Sequence, residues 1–275
     1  MSACRLEPPG RPGIAAMSIA VISAVMIAAQ SLISPLPAHA QNRGAAPAAA
    51  PPPSAKASAP IDLTGYWVAF VNEDWRYRMI TPAKGDYRGV PITREALTIV
   101  NAWDPAADEA AGNQCKSYGA GAIMRVPGRL HVTWQDDNTL KLDTDAGMQT
   151  RLFRFGLSSP APSGKPTWQG TSAARWERAG AAGGNAPAAR AGSLTVVTTG
   201  MRAGYLRKNG VPYSESATVT EYFDAAPQPG GGQLLVVTTV VDDPRYLLQP
   251  FIVSSHFKKE ADASKWDPTP CSATW

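Results

Sequence analysis

From residue 65 onward the chain is a succession of short β-prone runs closed by turn residues, with no helices alternating between them. No other feature limits the fold as much. The runs fall at 65–72 (GYWVAFVN), 122–126, 129–135, 139–144, 148–155, 168–177, 193–199, 216–223, 233–241 and 251–259. Tight turns such as Pro127-Gly128, Asp136-Asp137-Asn138 and Asp145-Ala146-Gly147 join several of them. Leu130, Val132 and Trp134 share one face, as do Leu140 and Leu142. Parallel strands need long crossovers, so hairpin-length connections predict an all-β, antiparallel meander. One this long hides its edges by curling into an up-and-down barrel. The helical exception is 93–103, where Thr93 is a good N-cap and Leu97, Val100 and Trp103 recur at helical spacing. Asp104-Pro105 then starts a short helical turn ending near Gly112, and this helical segment is expected near one mouth of the barrel.

The first forty residues carry an address. Arg5 and Arg11 precede an apolar stretch at 14–33, and Pro37-Ala38-His39-Ala40 supplies the small-x-small pattern of a signal-peptidase site. We expect a signal peptide at 1–40, cleavage near Ala40, and a periplasmic or secreted mature chain without a stable membrane span. The stretch approaches the ~20 residues of a retained anchor, so that alternative stays open, as does a start at Met17. Cys4 lies ahead of the apolar core, where a lipoprotein cysteine would lie after it. Residues 41–60 are almost all Ala, Pro and Ser around Pro51-Pro52-Pro53, a composition with too little apolar surface to offset ordering entropy. They read as a disordered linker. A single β domain is then expected over 61–275, interrupted by a flexible Ala/Gly-rich insertion at 178–192.

Export restricts the chemistry that remains. Without residues 1–40 the chain keeps 24 basic and 21 acidic side chains, with no Lys/Arg run of the kind that marks a nucleic-acid surface. Cys115 and Cys271 are the cysteines left, in a compartment where thiols oxidise, and are expected to form one disulfide. His131 and His256 are the remaining histidines, and no Cys or His pair has metal-ligand spacing, so neither a metal nor a cofactor is expected. Gly-x-Ser-x-Gly elbows, phosphate loops and Gly-x-Gly-x-x-Gly are missing from the sequence, which leaves hydrolase and nucleotide-binding templates without support.

Gly65-Tyr66-Trp67 at the start of the first run resembles the Gly-x-Trp opening of lipocalins and related calycin barrels. That resemblance implies a calycin-like barrel in which Lys258 or Lys259 of the last strand covers Trp67. Residues 103–151, with Asp243-Pro244-Arg245-Tyr246 and Pro250-Phe251, resemble a family of secreted bacterial proteins to which no activity is attached.

A barrel of about eight strands either fills its interior or holds one small ligand. The aromatic residues Trp75, Tyr77, Tyr87, Tyr118, Tyr205, Tyr213 and Tyr246 suit a pocket for a mostly apolar molecule with a few polar groups. Packing alone accounts for the same residues. Glu73-Asp74-Trp75-Arg76 with Arg78 offers a fork for a ligand carboxylate, or ordinary surface ion pairs. Asn113-Gln114-Cys115-Lys116 and Tyr118 form a polar cluster before Gly119-Ala120-Gly121, and Arg202, Tyr205, Arg207 and Lys208 read as solvated charge in a long loop before Asn209-Gly210. The expected ligand contacts are Trp75, Arg76, Arg78, Tyr118, Tyr205 and Tyr246. Were the protein an enzyme, His131, His256 and Tyr118 would be its acid–base groups. The leading expectation is an exported binding protein for a small apolar molecule held in the lumen. The alternatives are a cofactor-independent isomerase, cyclase or hydratase, and an envelope interaction protein with a filled barrel.

Overall fold

The computed structural model describes residues 52–160, 164–178 and 192–274. The expected signal peptide, the linker up to residue 51 and the 179–191 portion of the insertion lie outside the described residues. Eleven strands occur among those residues. They are β1 (Gly65–Ala69), β2 (Arg129–Asp136), β3 (Thr139–Thr144), β4 (Thr150–Phe155), β5 (Thr171–Arg178), β6 (Gly192–Thr199), β7 (Gly204–Arg207), β8 (Val211–Tyr213), β9 (Thr218–Pro227), β10 (Gln233–Asp242) and β11 (Phe251–Glu260). Nine of them close into a barrel in the order β1-β11-β10-β9-β6-β5-β4-β3-β2, while β7 and β8 make a separate hairpin.

The expected all-β barrel is therefore present, with one departure from antiparallel pairing. A ring with an odd number of strands cannot alternate direction all the way round, so a nine-stranded closure needs a parallel seam. That seam is β4–β5, paired only from Phe153–Ser172 to Phe155–Ala174, and the other pairings of the ring are antiparallel. β4 and β5 therefore start at the same end of the barrel.

Alternation along the strands fills the interior in layers. The first is apolar, with Trp67, Leu130, Leu142, Phe153, Leu194, Val196, Phe223, Leu235 and Phe257 packed together. Above it lies a polar belt contributed by successive strands, namely Arg151, Ser172, Thr198, Glu221, Thr239 and Ser255, all buried. Arg151 donates to both carboxylate oxygens of Glu221 at 2.8 and 2.6 Å, and Ser172 Oγ lies 2.8 Å from Thr198 Oγ1. Beyond the belt a second apolar cluster joins the strand ends at Val219, Val241 and Phe251 to Val100, Leu206, Val211 and Tyr213 of the cap.

The cap covers the mouth at which β1 ends and β2 starts. It consists of α1 (Trp75–Arg78), α2 (Arg94–Ala102), α3 (Pro105–Ala110), 3-10 turns at Gln114–Tyr118 and Ile123–Arg125, and the β7–β8 hairpin. The two expected helices form with the expected caps: Thr93 accepts from Ala96 N, and Asp104 from Ala106 N and Ala107 N, with Pro105 leading. Residues 122–126, expected to be a strand, instead turn as a 3-10 helix, because the preceding Gly119 and Gly121 seat the Tyr213 ring and direct the chain across the mouth. A second correction concerns 202–208. Although Arg202 is exposed, the hairpin from Gly204 through Ser214 is buried throughout, including Arg207, Lys208 and Asn209.

At the opposite end the ordered chain begins before Ile61. Ala55 N donates to Asn138 Oδ1 at 2.9 Å, Lys56 N to Asp137 O at 3.0 Å, and Trp176 Nε1 to Ala55 O at 2.8 Å. The last part of the expected linker thus docks on the β2–β3 turn and on β5. Cys115 and Cys271 are bonded, tying the C-terminal tail to the first 3-10 turn. Lys259 caps the Trp67 ring, with Nζ 4.3 Å from its centroid and a hydrogen bond to Thr64 O.

Candidate functional site

Three arginines and a lysine far apart in the sequence meet under the cap. Asp74, with φ 51°, adopts a left-handed conformation that side chains other than Gly rarely take, and this bend starts α1 and turns its single helical turn across the mouth. The bend aims Arg78 inward, where its Nε donates to Arg125 O at 2.8 Å and its Nη1 pairs with Glu73. The other oxygen of Glu73 meets His256 Nδ1 at 2.8 Å, and Asp74 pairs with Arg125. From the hairpin, Arg207 sits over the Tyr77 ring, with Cζ 3.8 Å from its centroid, and donates from Nη1 to Arg88 O at 2.8 Å. Next to it Lys208 Nζ donates to Tyr118 Oη at 2.6 Å and to Ser272 O at 3.2 Å.

These cations are crowded and dry. Arg78, Arg125, Arg207 and Lys208 are each no more than 5% exposed. Burial lowers the Arg78 guanidinium to about 10, and the nearby Arg125 charge adds to the effect. Arg207 is lowered by the same two causes, and burial takes Lys208 down to about 8. Glu73 and Asp74 are already engaged, and Asp86 serves Arg76 at 3.7 Å and Arg88 at 3.3 Å. Among the described residues Arg78 Nη2 and Arg207 Nε are buried without a hydrogen-bond partner. A small cleft of about 20 Å³ opens here, lined by Tyr77, Ser117, Arg125, Leu206, Arg207 and Lys208. That is room for little more than one water-sized group.

The residues singled out in the sequence are dispersed around this cleft. Arg78 does not line it but supports it, donating to Arg125 O, and Tyr118 borders it through Lys208, its hydroxyl raised by burial. Arg76 and Trp75 point outward, Trp75 being 63% exposed. Tyr205 is buried elsewhere, donating to Asp108 Oδ2 at 2.8 Å beside Lys116 Nζ at 3.2 Å; burial and the Asp108 carboxylate push its hydroxyl well above the usual tyrosine value. Tyr246 packs in the apolar layer of the cap. His131 faces outward from β2 and stacks on Tyr66 at 4.0 Å, edge-on to Trp266, and burial lowers it. His256 also faces outward, on β11, and is lowered by burial and by Arg78. Arg125 carries no local sequence signal, and Arg207 and Lys208, expected to be solvated, are buried. Their signal was Leu206 and Val211 flanking the Asn209-Gly210 turn, a pattern of burial interrupted by charge.

No family model, curated protein or solved structure matches the chain. Among the described residues no group of three or more His, Cys, Asp or Glu side chains is placed to hold a metal ion. In the same residues no helix is long and apolar enough to cross a membrane.

Proposed function

We propose that this is an exported binding protein whose ligand is a small, mostly apolar molecule bearing one acidic group. One oxygen of the acid seats in the capped-mouth cleft and the rest of the molecule lies outside it. The observation that carries this reading is the set of mutually repelling, buried cations at the cleft, Arg125, Arg207 and Lys208, with Arg207 Nε lacking a hydrogen-bond partner among the described residues. An anion would relieve both the repulsion and that unmet hydrogen bond. The half-buried Tyr77 at the cleft gives the ligand body apolar surface. The packed interior favours binding at the mouth over binding in the lumen, and the Cys115–Cys271 bond is compatible with export. Calycin kinship remains part of the proposal, supported by Lys259 over Trp67, although lipocalin barrels close with eight strands rather than nine.

Calorimetric titration with benzoate, decanoate and benzyl alcohol tests it. We expect the carboxylates to bind, the alcohol not to, and Arg207→Gln to weaken carboxylate binding by about tenfold or more. Equal binding of benzyl alcohol, or an unchanged affinity in Arg207→Gln, would sink the idea.

An enzyme on the same barrel is the second reading, favoured by Lys208. With its amine at about 8 and against Tyr118 Oη, a fraction is neutral near physiological pH and able to take a proton from a bound acid's neighbouring carbon. Solvent deuterium incorporated into a bound carboxylate by the wild type, and lost in Lys208→Met, would favour this reading over simple binding.

A further inference from the structure

Residues 164–170, which lead into β5, flank a second hollow on the barrel exterior, along the outer face of β4. Thr150, Leu152 and Arg154 point outward there, and with Trp168 and Gln169 they line a groove of about 310 Å³. A continuation of about 190 Å³ shares Arg154, Thr167 and Gly170 and adds Lys165. Together the two are within the ~300–1,000 Å³ typical of small-molecule sites. The groove exists because the parallel seam is short: its register covers Phe153–Phe155, so Thr150–Leu152 lie outside it.

The lining is chemically one-sided. It offers threonine hydroxyls at Thr150, Thr167 and Thr171, the Trp168 ring and the cations Arg154 and Lys165; no carboxylate is among the described lining residues, although Thr150 Oγ1 donates to Asp143 Oδ1 at 2.6 Å. A third cation, Arg202, stacks on Trp168 at 3.9 Å. The floor is built in advance of any ligand. Gln169 Nε2 is fixed between Tyr118 O at 2.7 Å and Gln149 Oε1 at 3.0 Å, leaving Gln169 Oε1 buried and unpartnered. Threonine hydroxyls that both donate and accept, beside an indole ring, match a sugar's ring of hydroxyls and its apolar face, whereas a lipid tail would leave the hydroxyls unsatisfied. Lys165 and Arg154, whose charge also reaches the Asp136 carboxylate, select for acid groups on that sugar. An elongated double hollow suits more than one unit.

We infer that the β4–β5 groove binds an acidic oligosaccharide, independently of the capped-mouth cleft. The test is calorimetric titration of the full chain with trigalacturonate, with maltotriose as the neutral trimer and acetate as the isolated carboxylate. Trigalacturonate should bind, and Arg154→Gln and Lys165→Gln should each weaken it by about tenfold. Both side chains are exposed, and unchanged melting temperatures would confirm that the variants fold. Arg207→Gln, which disables the mouth cleft, should leave trigalacturonate affinity unaltered. The inference is overturned by no binding at millimolar trigalacturonate, by equal binding of maltotriose or acetate, by unchanged affinity in both groove variants, or by loss of binding in Arg207→Gln.

Discussion

Tyr213 is the side chain on which the cap is seated. It is fully buried, and its hydroxyl has no hydrogen-bond partner among the described residues. A Cβ built on Gly119 would collide with that hydroxyl and come within 3.0 Å of Trp168 O. Overpacking of this kind costs about 1–3 kcal/mol, so Gly119→Ala should lower the denaturation midpoint markedly. Tyr213→Phe, which removes an unpaired group, should be close to neutral alone and should recover most of the loss in the double variant. Additive losses in that cycle would mean the hydroxyl does not set the glycine's requirement. Lys208 gives a pH signature. Its folded value of about 8 lies below the ordinary 10.5, so between those values the unfolded chain binds more protons and stability rises with pH. Tyr118, raised by burial, opposes this above pH 10. Urea denaturation should show the wild type gaining on Lys208→Met from about pH 7.5 to 9.5, and a pH-independent difference would contradict the burial argument.

The cap elements depend on one another through the C-terminal tail. The Cys115–Cys271 bond spans 156 positions of sequence, for which chain entropy alone gives an upper figure of about 5 kcal/mol and native bonds typically about 2–4 kcal/mol. It also holds Ser272 and Thr274, whose carbonyls accept from Lys208 Nζ. Replacing both cysteines by alanine should therefore lower stability by about 2–4 kcal/mol in chemical denaturation and weaken benzoate binding at the mouth. Unchanged benzoate affinity would detach the tail from the site. The strands themselves were legible because burial follows their alternation: Leu130 and Val132, or Leu140 and Leu142, show their faces without reference to anything else. The hairpin was not. In GYLRKNGVPY the charged pair Arg207-Lys208 imitates a solvated loop, and only the covering elements make burial possible, through Asn209 Nδ2 donating to Ala83 O and Asp86 O and Trp103 lying over Gly210. The cleft was hidden for the same reason, since Arg78, Arg125 and Arg207 are brought together by tertiary contacts and not by spacing. Arg78 could be flagged locally, beside its acids, whereas Arg125 sits in a run, IMRV, that reads as strand.

Across the whole molecule, stability should be uneven around the ring. The ten-residue strands β9, β10 and β11 pair along nearly their full length, while the β4–β5 seam is registered over three residues on each side. Native-state hydrogen exchange should therefore be slowest in β10, bonded on both flanks, and fastest within the ring at the amides of β4 and β5 beside the seam. Uniform protection would show that the crossover segment braces the seam as firmly as a strand would. The fold class was readable from the turn spacing, but the parallel seam was not, since it follows from strand number and not from any local sequence. Closure also has a consequence in time. The ring is sealed where Tyr66 meets Glu260 and Ala69 meets Phe257, so the strand made first waits for the one made last. Until residue 260 is available β1 lacks one of its two neighbours, and a shorter chain displays two unmated edges. Synthesis thus has to pass residue 260 before the barrel can become a barrel, and β11 is the latch.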